Sequence, residues 1–144
     1  MDIPRLRPYG NYQLKRAEFK EDNDCCVCSI SHACGVPYRV AHAACKKAGR
    51  KNRKGMYDSE IAKAVSILGF KLIKVKCKSK TVRTLYRNIK SNKSFLVFIN
   101  DHLSSIVNKE TWDENIKNKC SRIEQVYLVE KFERNSPTFL RRAK

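Results

Sequence analysis

Near residues 91–93 the hydrophobic period of this chain changes, and that change limits the fold more than any single motif does. Before it, Ile61, Ala64, Val65 and Leu68 recur three and four residues apart, a stripe on one face of a helix that Gly69 ends. After it come short runs of β-forming residues separated by turn signals, at Phe95 to Ile99, His102 to Val107, Thr111 to Asp113 and Ile123 to Val129. Helices followed by hairpin-linked strands predict an α+β domain, with an N-terminal helical half and then an antiparallel β-sheet. The 144 residues suffice for one such core and not for two ordinary domains.

The helical half carries its own punctuation. Asn23 and Asp24 stand where a side chain would accept hydrogen bonds from the first amides of a helix over Cys25 to Ala33, and Gly35 and Pro37 end it. Pro37 suits the first turn of a second helix to about Lys47, with Val40, Ala43 and Ala44 on its inner side and Gly49 as its stop. Asp58 or Ser59 caps the third helix. Phe70 to Cys77 reads as a strand, and Thr81 opens a fourth helix with Val82, Leu85, Tyr86 and Ile89. The expected organisation is an irregular basic arm over residues 1–22, a domain over 23–132, and a flexible basic tail over 133–144.

Composition narrows the class. Apolar residues at 42% and charged residues at 31% support a folded core. No apolar run reaches the roughly 18–20 residues of a bilayer crossing, and Met1 to Arg5 does not open like a secretory signal. The expectation is a cytoplasmic protein with no membrane partner. Seven irregularly spaced cysteines fit reduced thiols better than a disulfide framework. Six soft ligands, Cys25, Cys28, His32, Cys34, His42 and Cys45, fall within twenty-one residues, yet only one Cys-x-x-Cys pair occurs, so neither metal nor other cofactor is expected.

The formal charge of +17 is unevenly placed. Between Asp24 and Asp101 the only acids are Asp58 and Glu60, against seventeen Lys and Arg. One basic run holds Lys46, Lys47, Arg50, Lys51, Arg53 and Lys54, and another holds Lys71, Lys74, Lys76, Lys78 and Lys80. Arg50, Lys51, Arg53 and Lys54 are the candidates for gripping a polyanion, nucleic acid included, or an acidic protein, although no nucleic-acid-binding motif accompanies them.

Cys25 is the residue with the most chemical promise. A thiol in the first turn of a helix feels unpaired amides and the positive end of the dipole, which favour thiolate. It needs a base, and the histidines are His32, His42 and His102. His32 lies seven residues along the same helix, about 10 Å up its axis and too far for a direct bond. His102 follows the apolar strand and the polar break Asn100-Asp101, where a base can meet a helix terminus. If Asn108-Lys109 is a two-residue turn, Val107 faces Glu110 and Ser104 faces Asp113, which makes Asp113 the diagonal neighbour of His102 on one face. A one-residue change in the turn would substitute Asn108 or Glu110. Trp112, by parity, packs on the opposite face.

The run Asn23-Asp24-Cys25, Gly35-Val36-Pro37-Tyr38, Ala48-Gly49-Arg50 and Gly55-Met56, followed by Thr81-Val82-Arg83, Phe95-Leu96-Val97-Phe98, His102 and Trp112-Asp113, resembles the small papain-like cysteine peptidases of bacterial and phage genomes. The resemblance spans about residues 23 to 113. It implies a papain-like fold with Cys25 as nucleophile, His102 as general base and acid, and Asp113 as its orienting group. It also implies cleavage of a peptide or isopeptide bond in a protein or peptide substrate, an acidic one if the basic surface recruits it. For a phage-encoded chain the location would be the host cytoplasm. The chain departs from the pattern at Asp101 and Leu103, which flank the histidine, and at Phe19, where many papain-like enzymes hold an oxyanion-binding Gln six residues before the nucleophile. Asn23, or Gln13 folded back from the arm, are the candidate replacements. The alternative function is a catalytically inactive basic module of the same fold that binds nucleic acid or an acidic protein.

Overall fold

A computed structural model describes residues 5–6, 12–76, 81–89, 92–99, 102–113, 116 and 122–132, with backbone alone at 5, 6 and 13. Cys77, Lys78, Lys80, Asp101, the Gln13 side chain and the tail over 133–144 lie outside the described residues. The elements are β1 (Arg5–Leu6), α1 (Tyr12–Glu18), α2 (Cys25–Cys34), α3 (Tyr38–Lys47), α4 (Asp58–Ile67), β2 (Phe70–Lys74), α5 (Val82–Asn88), β3 (Ser94–Ile99), β4 (His102–Val107), β5 (Glu110–Thr111) and β6 (Ile123–Lys131). The protein is α+β, a helical part followed by an antiparallel sheet in the order β5-β4-β3-β6-β2. β1 adds to its edge in parallel with β5.

The sheet separates two apolar layers. On one side Val27 and Ile30 of α2, Ala41 of α3, and Ile61 and Val65 of α4 pack with Leu96 and Leu103. On the other, Val82 and Leu85 of α5 pack with Phe95, Val97, Ile99, Ile106, Ile116 and Val126. Alternate residues of β3 feed the two layers, which is why this strand reads as a nearly continuous apolar run, while β4 sends Leu103 to one layer and Ile106 to the other.

Several boundaries differ from the sequence reading. Residues 1–22 are not wholly irregular, because they contain β1 and α1. Their order comes from tertiary contact rather than periodicity: the Tyr12 hydroxyl donates to Ser31 Oγ at 2.9 Å, and its ring stands edge-on to Trp112. α3 buries Tyr38, Ala41, Ala44 and Cys45, leaving Ala43 exposed and Val40 half-buried, so its inner face is rotated from the expected one. α4 begins at Asp58 with Tyr57 in the cap position, its amide donating to Glu60 Oε1 at 2.9 Å. β5 stops at Thr111, short of the expected Asp113. There the Asp113 amide turns to the Thr111 hydroxyl at 3.1 Å, a local bond that competes with the ladder.

Asn108-Lys109 is the two-residue turn, with Val107 opposite Glu110. Both turn residues have positive φ, 52° and 61°, the backbone of a type I′ hairpin. The Lys109 ammonium lies 4.7 Å from the Tyr86 ring centroid, which helps hold a non-glycine residue in that strained region.

Candidate active site

The site assembles where the start of α2 meets the start of β4. Ser29 of α2 donates to the Leu103 carbonyl at 3.0 Å, and His32 Nδ1 meets Ser105 Oγ at 2.7 Å. These bonds lay α2 along β4, so Cys25, its first residue, reaches the strand end that carries His102.

His102 Nε2–H donates to Asp113 Oδ2 at 2.5 Å, the expected contact, although Asp113 makes it from beyond the end of β5 rather than as a diagonal neighbour on the ladder. The carboxylate, at 2% exposure, is shielded from water, and the hydrogen bond engages one ring nitrogen, leaving Nδ1 for the thiol. The hydrogen bond to Asp113, then the contact with Cys25, raises His102 to about 10, against the effect of burial. Hydrogen bonds from Cys26, from His102 and from the Leu103 backbone bring the half-buried Cys25 thiol down to about 4, although burial opposes its ionisation. Between these limits the pair is thiolate and imidazolium. The neighbouring Cys25 thiolate and burial both raise Cys26 and hold it protonated.

The helix ladder starts with the Cys28 amide on the Asp24 carbonyl at 3.0 Å, so the amides of Cys25, Cys26 and Val27 stand ahead of it. Asp24 occupies the cap position without a side-chain cap bond. Its carboxylate is instead fully buried, accepting from the Tyr38 hydroxyl at 2.6 Å and the Cys28 thiol at 3.6 Å, and pairing with Arg16 at 2.7 Å. The reading of Asp24 as an ordinary cap is thus corrected: three donors from α1, α2 and α3 compete for its oxygens more strongly than the amides do.

The remaining histidines are structural. Burial pushes His32 down to about 4, so it is neutral near pH 7. His42 Nε2–H is directed at Glu21 Oε2, 2.7 Å away, and Asn52 Oδ1, 3.0 Å away. Phe19 packs edge-on against Tyr38 and His42, which explains an aromatic ring at its position. Asn23 is exposed, and its carbonyl accepts from Arg50 Nη2 at 3.1 Å.

Of the basic candidates, Arg50 is 5% exposed and its guanidinium grips both oxygens of Glu21, at 2.7 and 2.9 Å. Its charge is answered inside the fold. Arg53 is exposed and paired with Asp22 at 2.5 Å, while Lys51 and Lys54 are exposed, as are Lys71, Lys74 and Lys76. Sequence reasoning missed Glu21 and Cys26, and took Asp24 only for a helix cap. An acid that will be buried looks like any other acid, and only the doublet Cys25-Cys26 offered a signal. Trp112 is half-buried, packed against the helical layer, and donates to Ser105 Oγ at 3.1 Å. Among the described residues no three His, Cys, Asp or Glu side chains gather as a metal site, and no helix is long and apolar enough to cross a membrane.

Comparison with family models, with curated proteins and with solved structures finds no match to this chain.

Proposed function

We propose that this chain is a papain-like cysteine hydrolase that cleaves a peptide or isopeptide bond, with Cys25 as nucleophile, His102 as acid and base, and Asp113 as orienting group. The observation that carries the reading is His102, hydrogen-bonded to the buried Asp113 and close enough to Cys25 that the imidazole favours the thiolate and the thiolate favours the imidazolium. In the reaction the Cys25 thiolate attacks the carbonyl carbon, and the oxyanion is met by the Cys25 amide at the positive end of α2. Asn23 is the nearby candidate for a second donor. The His102 imidazolium gives its proton to the leaving amine, and the neutral ring then takes one from the water that hydrolyses the thioester. Asp113 keeps Nε2 protonated throughout, so Nδ1 is the nitrogen that exchanges protons.

Alkylation by iodoacetamide tests the assignment. Cys25→Ala loses the fast-labelling thiol while keeping the circular dichroism of the wild type. His102→Ala labels Cys25 more slowly near pH 6, and hydrolysis of any substrate found falls by about 10²–10⁴-fold. Equal labelling of wild type and Cys25→Ala contradicts the proposal.

The exposed lysines at 51, 54, 71, 74 and 76 support a second reading, a basic module that binds nucleic acid or an acidic protein without turnover. Charge reversal at Lys51 and Lys54 would flatten the salt dependence of that binding and leave Cys25 labelling intact.

A further inference from the structure

We propose that Cys25 and Cys28 form a reversible disulfide, which makes the start of α2 an oxidation switch set by peroxide. The proposal goes beyond hydrolysis, since it requires the reactive thiol and no amide turnover. Residues three apart on an α-helix have Cα atoms about 5 Å apart, within the roughly 4.4–6.8 Å that a disulfide spans. The neighbouring Cys26 is joined through one trans peptide, about 3.8 Å between Cα atoms and below that range. Cys34 lies nine residues along the axis, about 13 Å away.

The two sulfurs differ as an attacked and a resolving thiol must. Cys25 is half-buried and open to a small oxidant, whereas Cys28 is 0% exposed and can be reached only from within the protein. Cys28 also has its own base: its thiol donates to Asp24 Oδ2 at 3.6 Å. Burial and that carboxylate both raise Cys28 above the ordinary thiol range, so it stays protonated until a sulfur electrophile forms beside it.

The chemistry balances with hydrogen peroxide as oxidant. The Cys25 thiolate attacks one peroxide oxygen, the O–O bond breaks, and the departing hydroxide takes the His102 proton to leave as water, giving the sulfenic acid. Asp24 accepts the Cys28 proton as that sulfur attacks the Cys25 sulfur. The S–O bond breaks, and the hydroxide leaves as water with the proton returned from Asp24. Cys25 has lost two electrons to peroxide in the first step, and the second joins the sulfurs at no further oxidation. A dithiol reverses the bond by exchange.

The test treats the full chain with hydrogen peroxide and maps the tryptic peptide over residues 21–39. Wild type is expected to show Cys25 joined to Cys28, a peptide lighter by two hydrogens, with loss of iodoacetamide labelling that dithiothreitol restores. Cys28→Ser keeps a donor to Asp24 and its basal labelling. Under peroxide its Cys25 should be captured by dimedone and proceed to a sulfinic acid that dithiothreitol does not recover. A link from Cys25 to any other cysteine, or recovery of Cys28→Ser as complete as that of wild type, overturns the switch. If Cys25 labels rapidly before oxidation yet never joins Cys28, the switch alone fails; if it does not label even then, the hydrolase reading fails with it.

Discussion

Two buried carboxylates stand near Cys25, one reaching His102 and the other Cys28. Asp113 faces His102 and stabilises its charged form, whereas Asp24, beneath the first turn of α2, accepts hydrogen bonds from Tyr38 and Cys28. Asp113→Asn removes the charge that holds His102 near 10, and the imidazole falls back toward its ordinary value of 6.5. Without a stable imidazolium the Cys25 thiolate loses a partner, so its pKa rises from about 4. The expected result is an alkylation profile whose acid limb moves to higher pH, each unit of movement lowering the rate on that limb about tenfold. Rates of iodoacetamide labelling from pH 4 to 9 measure it, and an unmoved limb would separate Asp113 from the thiol.

At the scale of the element, α2 is anchored along its length. Ser29 and His32 tie it to β4, and Gly35 closes it in the left-handed region at φ 66° with its amide on the His32 carbonyl. A methyl group at Gly35 would meet nothing within 4 Å, so an alanine there tests the backbone alone. Gly35→Ala is expected to lower stability by about 1 kcal/mol, the left-handed penalty less the entropy removed from the unfolded chain. Urea denaturation should show a lower midpoint at unchanged slope. The hairpin of β4 and β5 is the other element on which the site depends, because its two-residue turn returns the chain so that Asp113, just beyond β5, reaches His102.

Across the whole molecule, Glu21 joins the end of the arm to the basic loop. Its carboxylate takes two bonds from Arg50, one from the Arg53 amide at 2.8 Å and one from His42. Burial opposes its charge, yet Arg50, Arg53 and His42 bring it down to about 2. Glu21→Ala leaves Arg50 buried without its anion and is expected to cost about 3–5 kcal/mol, read by chemical denaturation at pH 7. Because the folded pKa lies below the ordinary carboxylate value of 4.5, the contribution of Glu21 is whole above pH 4.5 and declines as pH falls toward 2. Acid titration of wild type should therefore lose stability across that window, and Glu21→Ala should lose less of it there.

The order of helices and strands from α2 onward, the start of α2 at Cys25, and the two-residue turn at Asn108-Lys109 were legible in the residues themselves. Helix caps, hydrophobic period and turn length are local properties, written in stretches of a few neighbouring residues. The meeting of Cys25 with His102 was legible only as an expectation, since no local rule joins positions seventy-seven residues apart. Tertiary packing alone turned Asp24 inward, ordered α1 against α2, and withdrew Arg50 from the basic surface. A side chain's charge is visible in sequence, but whether water or a buried partner answers that charge is decided when distant segments close around it.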